Sequence, residues 1–283
     1  VNDRDLRQMM YNHLCTLQDF IITKNRVTAD EERIHMIDDE MQLLEIIRKF
    51  LDENRNPAVK DKYSRYFVEG YDPYGTDGKL LDEHRRGWFS EYDNKLGLDG
   101  FIRLGDRLVA SGKYEEVFLA FWFVTRYPAH LNKNIFPRLA AWLETGICNW
   151  AMVDSFSLDV CAPFILKQVI TLEDMAGWRL STSKWMRRSA AVTLIRPGKH
   201  GMPVSDILGF IRPMMMDEEK VVRQGLGWLL RELWKIDRLQ VEDFLMEYKD
   251  TCGRLIIQYA TEKMTPDEKE RFRRTRGKAL QST

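Results

Sequence analysis

A tryptophan and an aspartate stand four residues apart in the apolar stretch CNWAMVDSF at 148–156. On a helix, positions i and i+4 share a face, so Trp150 and Asp154 point the same way. One reading is a buried aromatic beside a solvated acid. The other is a pocket that holds positive charge, because an indole face attracts cations. Two later segments carry related residues. WMRRSAAV at 185–192 contains Arg187 and Arg188, and VRQGLGWLLREL at 222–233 contains Arg223 and, five residues on, Trp228. Asp154, Arg188 and Arg223 fall into one slot at spacings of 34 and 35 residues. That is the period of stacked helix pairs, in which each unit packs only on its neighbours. In such a solenoid Asp154 and Arg188 become neighbours across adjacent helices.

The elements that must position these residues read as helices. TADEERIHMIDDEMQLLEIIRKFLDE opens with Thr28 and Glu31 at capping-box spacing, and its apolar residues recur at helical intervals through Phe50. TPDEKERFRR repeats the signature with Thr265 as cap, Pro266 in the first helical position and Glu268 three residues after the cap. Asp217 and Asp237 are expected caps of the runs that follow them. Strand-like alternation is almost absent. GYDPYGTDGK at 70–79 and RPGKHGMP at 196–203 read as loops, dense in Gly, Pro and Asp or in Gly and Pro. The pattern predicts an all-α protein, a curved α-solenoid of stacked helix pairs. Residues 1–45 form an N-terminal helical extension and residues 46–283 the repeat domain.

Composition narrows the function classes. The 283 residues include 44% apolar and 30% charged side chains, enough for a core under a well-solvated helical surface. Forty-three basic residues balance 43 acidic ones, so the formal net charge is zero. A polyanion site must therefore be a local basic patch. Such patches occur in STSKWMRRSAAVTLIRPGKH at 181–200 and KERFRRTRGK at 269–278. The cysteines Cys15, Cys148, Cys161 and Cys252 form neither a C-x-x-C pair nor a zinc-ligand spacing, and the five histidines are scattered. Reduced thiols in a cytoplasmic protein and no metal site are expected. No run reaches the roughly 18 apolar residues of a membrane span, and no signal peptide opens the chain.

NWAMVDS, WMRRSAAV and VRQGLGWLLREL resemble, in order and at suitable spacing, the signature segments of the AlkD-type DNA glycosylases, which are built from HEAT-like repeats. The resemblance runs from about residue 44 to residue 265. NPAVKDKYSRYF resembles the family's first repeat, and YGTDGKLLDEHRR its following turn. The resemblance implies that Asp154 is the catalytic carboxylate, with Trp150 and Trp228 as the flanking aromatics. It implies that Arg188 grips a phosphate and that Tyr66 is a first-repeat contact, although Tyr66 also reads as a core residue. Lys184, Arg187 and Arg223 join Arg188 as expected DNA contacts. The partner implied is double-stranded DNA carrying alkylated purines, with no metal or organic cofactor, and a monomer is expected.

The chemistry suits these residue types. A purine alkylated at N3 or N7 is already a cationic leaving group and needs no general acid. Positive charge grows on the deoxyribose as the glycosidic bond breaks, so a fixed carboxylate stabilises the transition state more than the ground state. Asp154, with an ordinary pKa of about 4, is expected to be ionised and to orient water. Each indole adds about 0.5–2 kcal/mol of cation–π attraction. The resemblance also implies excision without swinging the damaged base into a deep pocket, and an open concave site would tolerate bulky adducts. Two other readings stay open: a non-catalytic helical-repeat scaffold, and a structure-specific DNA-binding protein.

Overall fold

The computed structural model describes residues 35–275. The capping box at Thr28 and Glu31, and Cys15, lie outside the described residues. The first helix, α1, occupies 35–53. It crosses residue 45, where the expected extension ends, and buries Leu43, Leu44, Ile47 and Leu51 against the body. There follow α2 (Pro57–Ser64), α3 (Gly78–Ala110), α4 (Tyr114–Val124), α5 (Ile135–Ala140), α6 (Trp142–Thr145) and α7 (Trp150–Ser155). The chain continues with α8 (Ala162–Leu166), α9 (Lys184–Val192), α10 (Ile195–Lys199) and α11 (Val204–Ile211). The last helices are α12 (Lys220–Trp234), α13 (Arg238–Tyr248), α14 (Arg254–Ala260) and α15 (Pro266–Glu270). Short 3₁₀ segments join some of them, and no strand occurs among the described residues.

The helices stack in a solenoid. α4, α7, α9, α12 and α14 form one row in which each packs on the next. α3 packs on α4 and α13 on α12 as the second members of helix pairs, and α11 packs on α13. The row is held by apolar stripes at helical spacing. On α12 the buried residues Val222, Leu226, Leu229, Leu230 and Leu233 recur at i, i+4, i+7, i+8 and i+11. A fully buried leucine contributes about 1.5–3 kcal/mol, so this single stripe outweighs any local propensity. FLAFWFV at 118–124 is the equivalent on α4: five of its seven side chains are buried, and Phe118 and Trp122 are partly exposed.

Several local expectations are met and others corrected. Thr265 and Glu268 exchange the two bonds of a capping box over Pro266, and Asp237 accepts from the Gln240 amide. Asp217 does not cap α12, which starts only at Lys220. Its carboxylate instead accepts from the Glu219 amide at 2.9 Å and pairs with Arg187 on α9. The expected loop at 196–203 is helical through Lys199. Pro197 is tolerated there because it occupies the first turn of α10, where an amide N–H has no helical partner to lose. Between α7 and α8 the helix does not stop. It passes through a π-helical turn, Phe156–Cys161. The wider turn accommodates Pro163, which has no N–H and whose ring crowds the carbonyl four residues earlier.

Buried carboxylates tie the units together. Glu115 accepts from the amides of Tyr74 and Gly75, and Glu116 accepts from the Tyr74 hydroxyl and from Arg48. At the other end Glu232 of α12 pairs with Lys199 of α10 and with Lys235 at 2.8 and 2.9 Å. Burial opposes ionisation of Glu232, but the two ammonium groups outweigh it and hold its pKa at about 2. A depressed carboxylate stabilises the fold above its unfolded pKa, and that contribution fades as pH falls toward the folded value. Glu232→Gln is therefore expected to lower unfolding free energy by about 1–3 kcal/mol at pH 7. Denaturation at a series of pH values should show the gap between variant and wild type closing between roughly pH 4.5 and 2. A gap independent of pH would refute the ion-pair origin.

Candidate active site

α7 begins at Asn149, whose side-chain oxygen accepts from the Met152 amide at 3.0 Å. The same side chain donates to the Gly70 carbonyl at 2.6 Å, so the helix start is fastened to the 70–77 loop. Gly70 has φ +68°, and a Cβ there would lie 2.3 Å from the Cys148 carbonyl oxygen. Only glycine meets both conditions. The loop is fixed from below by Glu115 and Glu116, so α2, α4 and α7 share one anchorage.

From that start, Trp150 and Asp154 project to the same side of α7 into a cleft of about 440 Å³ that is also lined by Tyr66, Arg188 and Trp228. Arg188 crosses from α9 and grips Asp154 bidentately, with Nε and Nη2 each donating over 2.8 Å to a different carboxylate oxygen. Its Nη1 donates to the Val221 carbonyl of α12 at 2.5 Å. Gly225 gives this guanidinium its route, since a Cβ there would meet the Arg188 Cγ at 3.2 Å. Ser157 of the π turn and Ser189 of α9 bond each other at 2.8 Å and tie this continuous helix to α9 a second time. Burial pushes the Asp154 carboxyl above the usual carboxylate range, and Arg188 offsets part of the rise.

The aromatics form a wall. Trp150 is 41% exposed, donates its indole N–H to the Tyr66 carbonyl at 3.1 Å, and stacks on Phe67 with 5.4 Å between ring centroids. Phe67 in turn stacks on Tyr71 at 4.4 Å. Tyr66 is 54% exposed at the rim, with the Arg65 guanidinium over its ring. It is therefore a cleft residue and not part of the core. A second, strongly aromatic cleft of about 560 Å³ continues from Tyr66 and Trp150 past Tyr63, Tyr114 and Phe118.

The basic residues nominated from sequence are mostly closed off. Arg188 is only 5% exposed and its guanidinium is bonded on all three nitrogens, so little of it is open to an external phosphate. Arg187 pairs with Asp217 at 2.5 Å and donates to the Ser181 and Thr182 carbonyls. Lys184 pairs with Glu69, and the Nε of Arg223 donates to the Asp217 carbonyl at 2.6 Å. Three cleft residues escaped sequence reasoning: Gln224, Arg231 and Tyr259. Gln224 sits one helical turn before Trp228 and was discoverable by that spacing. Its amide donates to the Tyr259 hydroxyl at 2.7 Å, a residue of α14 with no local signal at all. Among the described residues no three His, Cys, Asp or Glu side chains converge as a metal site. No helix among them is long and apolar enough to cross a membrane.

A stacked-helix solenoid whose cleft is lined by a clamped carboxylate and two indoles defines a class of protein: a helical-repeat protein with an aromatic cleft around an Asp–Arg pair. Comparison with known sequences is more specific. A profile of the DNA alkylation repair enzyme family matches residues 47–264, and the chain belongs to that family. Among solved structures it is similar to a predicted DNA alkylation repair enzyme from Enterococcus faecalis, with a TM-score of 0.58 and 15% identity over 75% of this chain and 98% of that one. At that identity the likeness speaks for the fold. A direct search of curated protein sequences finds no match.

Asn149 combines a helix cap with the anchor of the 70–77 loop. Asn149→Ala is expected to lower unfolding free energy by about 1–2 kcal/mol and to loosen the Trp150 wall. Denaturant titration, with Trp fluorescence as the probe, checks both; a variant within experimental error of wild type would remove the anchoring role.

Proposed function

We propose that this protein is a DNA glycosylase that hydrolyses the N-glycosidic bond of cationic N3- or N7-alkylated purines in duplex DNA. The observation that carries the reading is the Asp154 carboxylate, clamped by Arg188 and facing an open cleft beside Trp150 and Trp228. In this reading the C1′–N bond breaks first, and its electron pair goes to the purine, which leaves neutral. The cation developing on the deoxyribose meets the carboxylate, which is closer to it than the guanidinium behind. Water then adds to C1′ and gives up its proton, so the products are the free base and an abasic sugar.

Preorganisation makes the carboxylate effective. A carboxylate held by two hydrogen bonds needs no reorganisation as charge appears. The indoles attract the cationic nucleotide and do little for a neutral one, which is also a poor leaving group. An exposed Trp150 and an open cleft fit excision without deep base flipping. The adjoining aromatic cleft supports tolerance of bulky adducts, because it offers flat apolar surface next to the reacting sugar. The internal pairing of Arg187, Arg188 and Lys184 favours the second reading, a non-catalytic helical-repeat scaffold.

Incubation with methylated duplex and detection of free 7-methylguanine or 3-methyladenine separates the readings. Asp154→Asn is expected to slow release by about 10²-fold or more while DNA binding persists; an unchanged rate would end the catalytic assignment. The raised pKa of Asp154 gives a second test. Activity needs the ionised form, so release should fall on acidification with a midpoint above about 4, the ordinary value. Arg188→Ala removes the counter-charge and leaves the burial, which should move that midpoint higher still. A midpoint that does not move, in a variant with a wild-type circular dichroism spectrum, would detach Asp154 from the acid limb.

A further inference from the structure

A third cleft, of about 350 Å³, is lined by the start of α3, the C-terminal half of α4, α7 with its π turn, and α10. It is continuous with the site. Phe118 lines both this cleft and the aromatic one, and the aromatic cleft shares Tyr66 and Trp150 with the Asp154 cleft. Ser155, adjacent to Asp154 in the chain, also lines it. The three clefts thus make one trough.

Its charge sets it apart. Arg85, Arg126 and Arg196 line it against one acid, Asp159, which pairs with Arg196 at 2.7 Å. The guanidinium carbons of Arg85 and Arg126 lie 4.7 and 4.8 Å from the ring of Trp122. Stacking on an indole holds a guanidinium plane in place while leaving its N–H edges unused. Arg126 is exposed and makes no ion pair among the described residues; its hydrogen bond to Thr125 is 3.3 Å long. Arg85 pairs with Asp82 through Nη2, and its Nε is buried without a partner. Arg187, Arg188 and Lys184, by contrast, are already matched by carboxylates of this chain.

The geometry points to the Trp122 cleft as the seat of the DNA backbone beside the lesion, its phosphodiester oxygens accepting from Arg126, Arg85 and Arg196. This rests on the reading of the Asp154 cleft as a glycosylase site. The duplex then lies along the trough from Trp122 toward Trp150, and its register is set by cations of α3, α4 and α10. Phosphate groups are matched by guanidinium forks, and Arg126 offers one that no acid of the described residues occupies, beside the arginines paired with Asp82 and Asp159.

The test is equilibrium binding of undamaged duplex over a salt series, together with single-turnover base release at saturating protein. Each phosphate contact contributes a slope of about 0.9 in log affinity against log salt. Arg126→Ala should lower the slope magnitude by about that amount, and Arg126→Lys should restore most of it. Lys49→Ala, which removes an exposed cation of α1 paired at 3.9 Å with Glu53, should leave the slope unchanged. Release at saturation should stay at the wild-type rate in all three. If wild type releases base but Arg126→Ala keeps the full slope, this inference falls and the glycosylase reading stands. If no base is released and the slope still drops with Arg126→Ala, the glycosylase reading falls instead. Absence of duplex binding by wild type would overturn both.

Discussion

The Arg188–Asp154 bond is the contact on which the rest of the site depends. It joins α9 to α7, and through the Val221 carbonyl it also reaches α12, so one guanidinium ties three successive units. A carboxylate taken this far from water would by itself favour its neutral form. Partnering by arginine keeps a negative edge directed at the cleft. The pair carries no net charge, yet its field at short range is that of the nearer member. A cation that touches the carboxylate oxygens therefore meets attraction first, and the guanidinium behind fixes the geometry in which it does so.

The three cations of α9 are matched by acids: Arg187 meets Asp217, Arg188 meets Asp154, and Lys184 meets Glu69. The wall built by Trp150, Phe67 and Tyr71 supplies flat polarizable surface and no charge. Arg126, exposed and without an ion pair among the described residues, adds positive charge beside Trp122. A protein with zero net charge can hold a polyanion in this way, because only the local surplus along the groove matters.

Much of this was legible in the sequence, for reasons that differ from residue to residue. The shared face of Trp150 and Asp154 follows from helical geometry alone. The meeting of Asp154 and Arg188 followed from a 34-residue spacing, since stacking units places equivalent positions side by side. Pairing was not legible. Nothing in RR at 187–188 says that both side chains are neutralised, because Asp217 lies 30 residues on and was itself read as a cap. Tyr259 joins the cleft through the packing of α14 on α12, a contact with no local pattern. Trp122 sits in an apolar run that reads as core. Its partly open ring and the two arginines over it depend on where the next unit ends. The helical continuation through Pro197 depended on the position of the first turn, which a Pro-Gly pair conceals.

The 70–77 loop shows how this solenoid resists twist. Solenoids store deformation as small rotations between successive units, much as a coil spring does. Here the first units are bolted together: Glu115 holds two loop amides, Glu116 holds the Tyr74 hydroxyl, and Asn149 pins the loop to α7. Any twist between α2 and α7 would strip buried carboxylates of their donors. The mouth beside Trp150 is accordingly braced, as the far end of the arc is by Glu232 between Lys199 and Lys235.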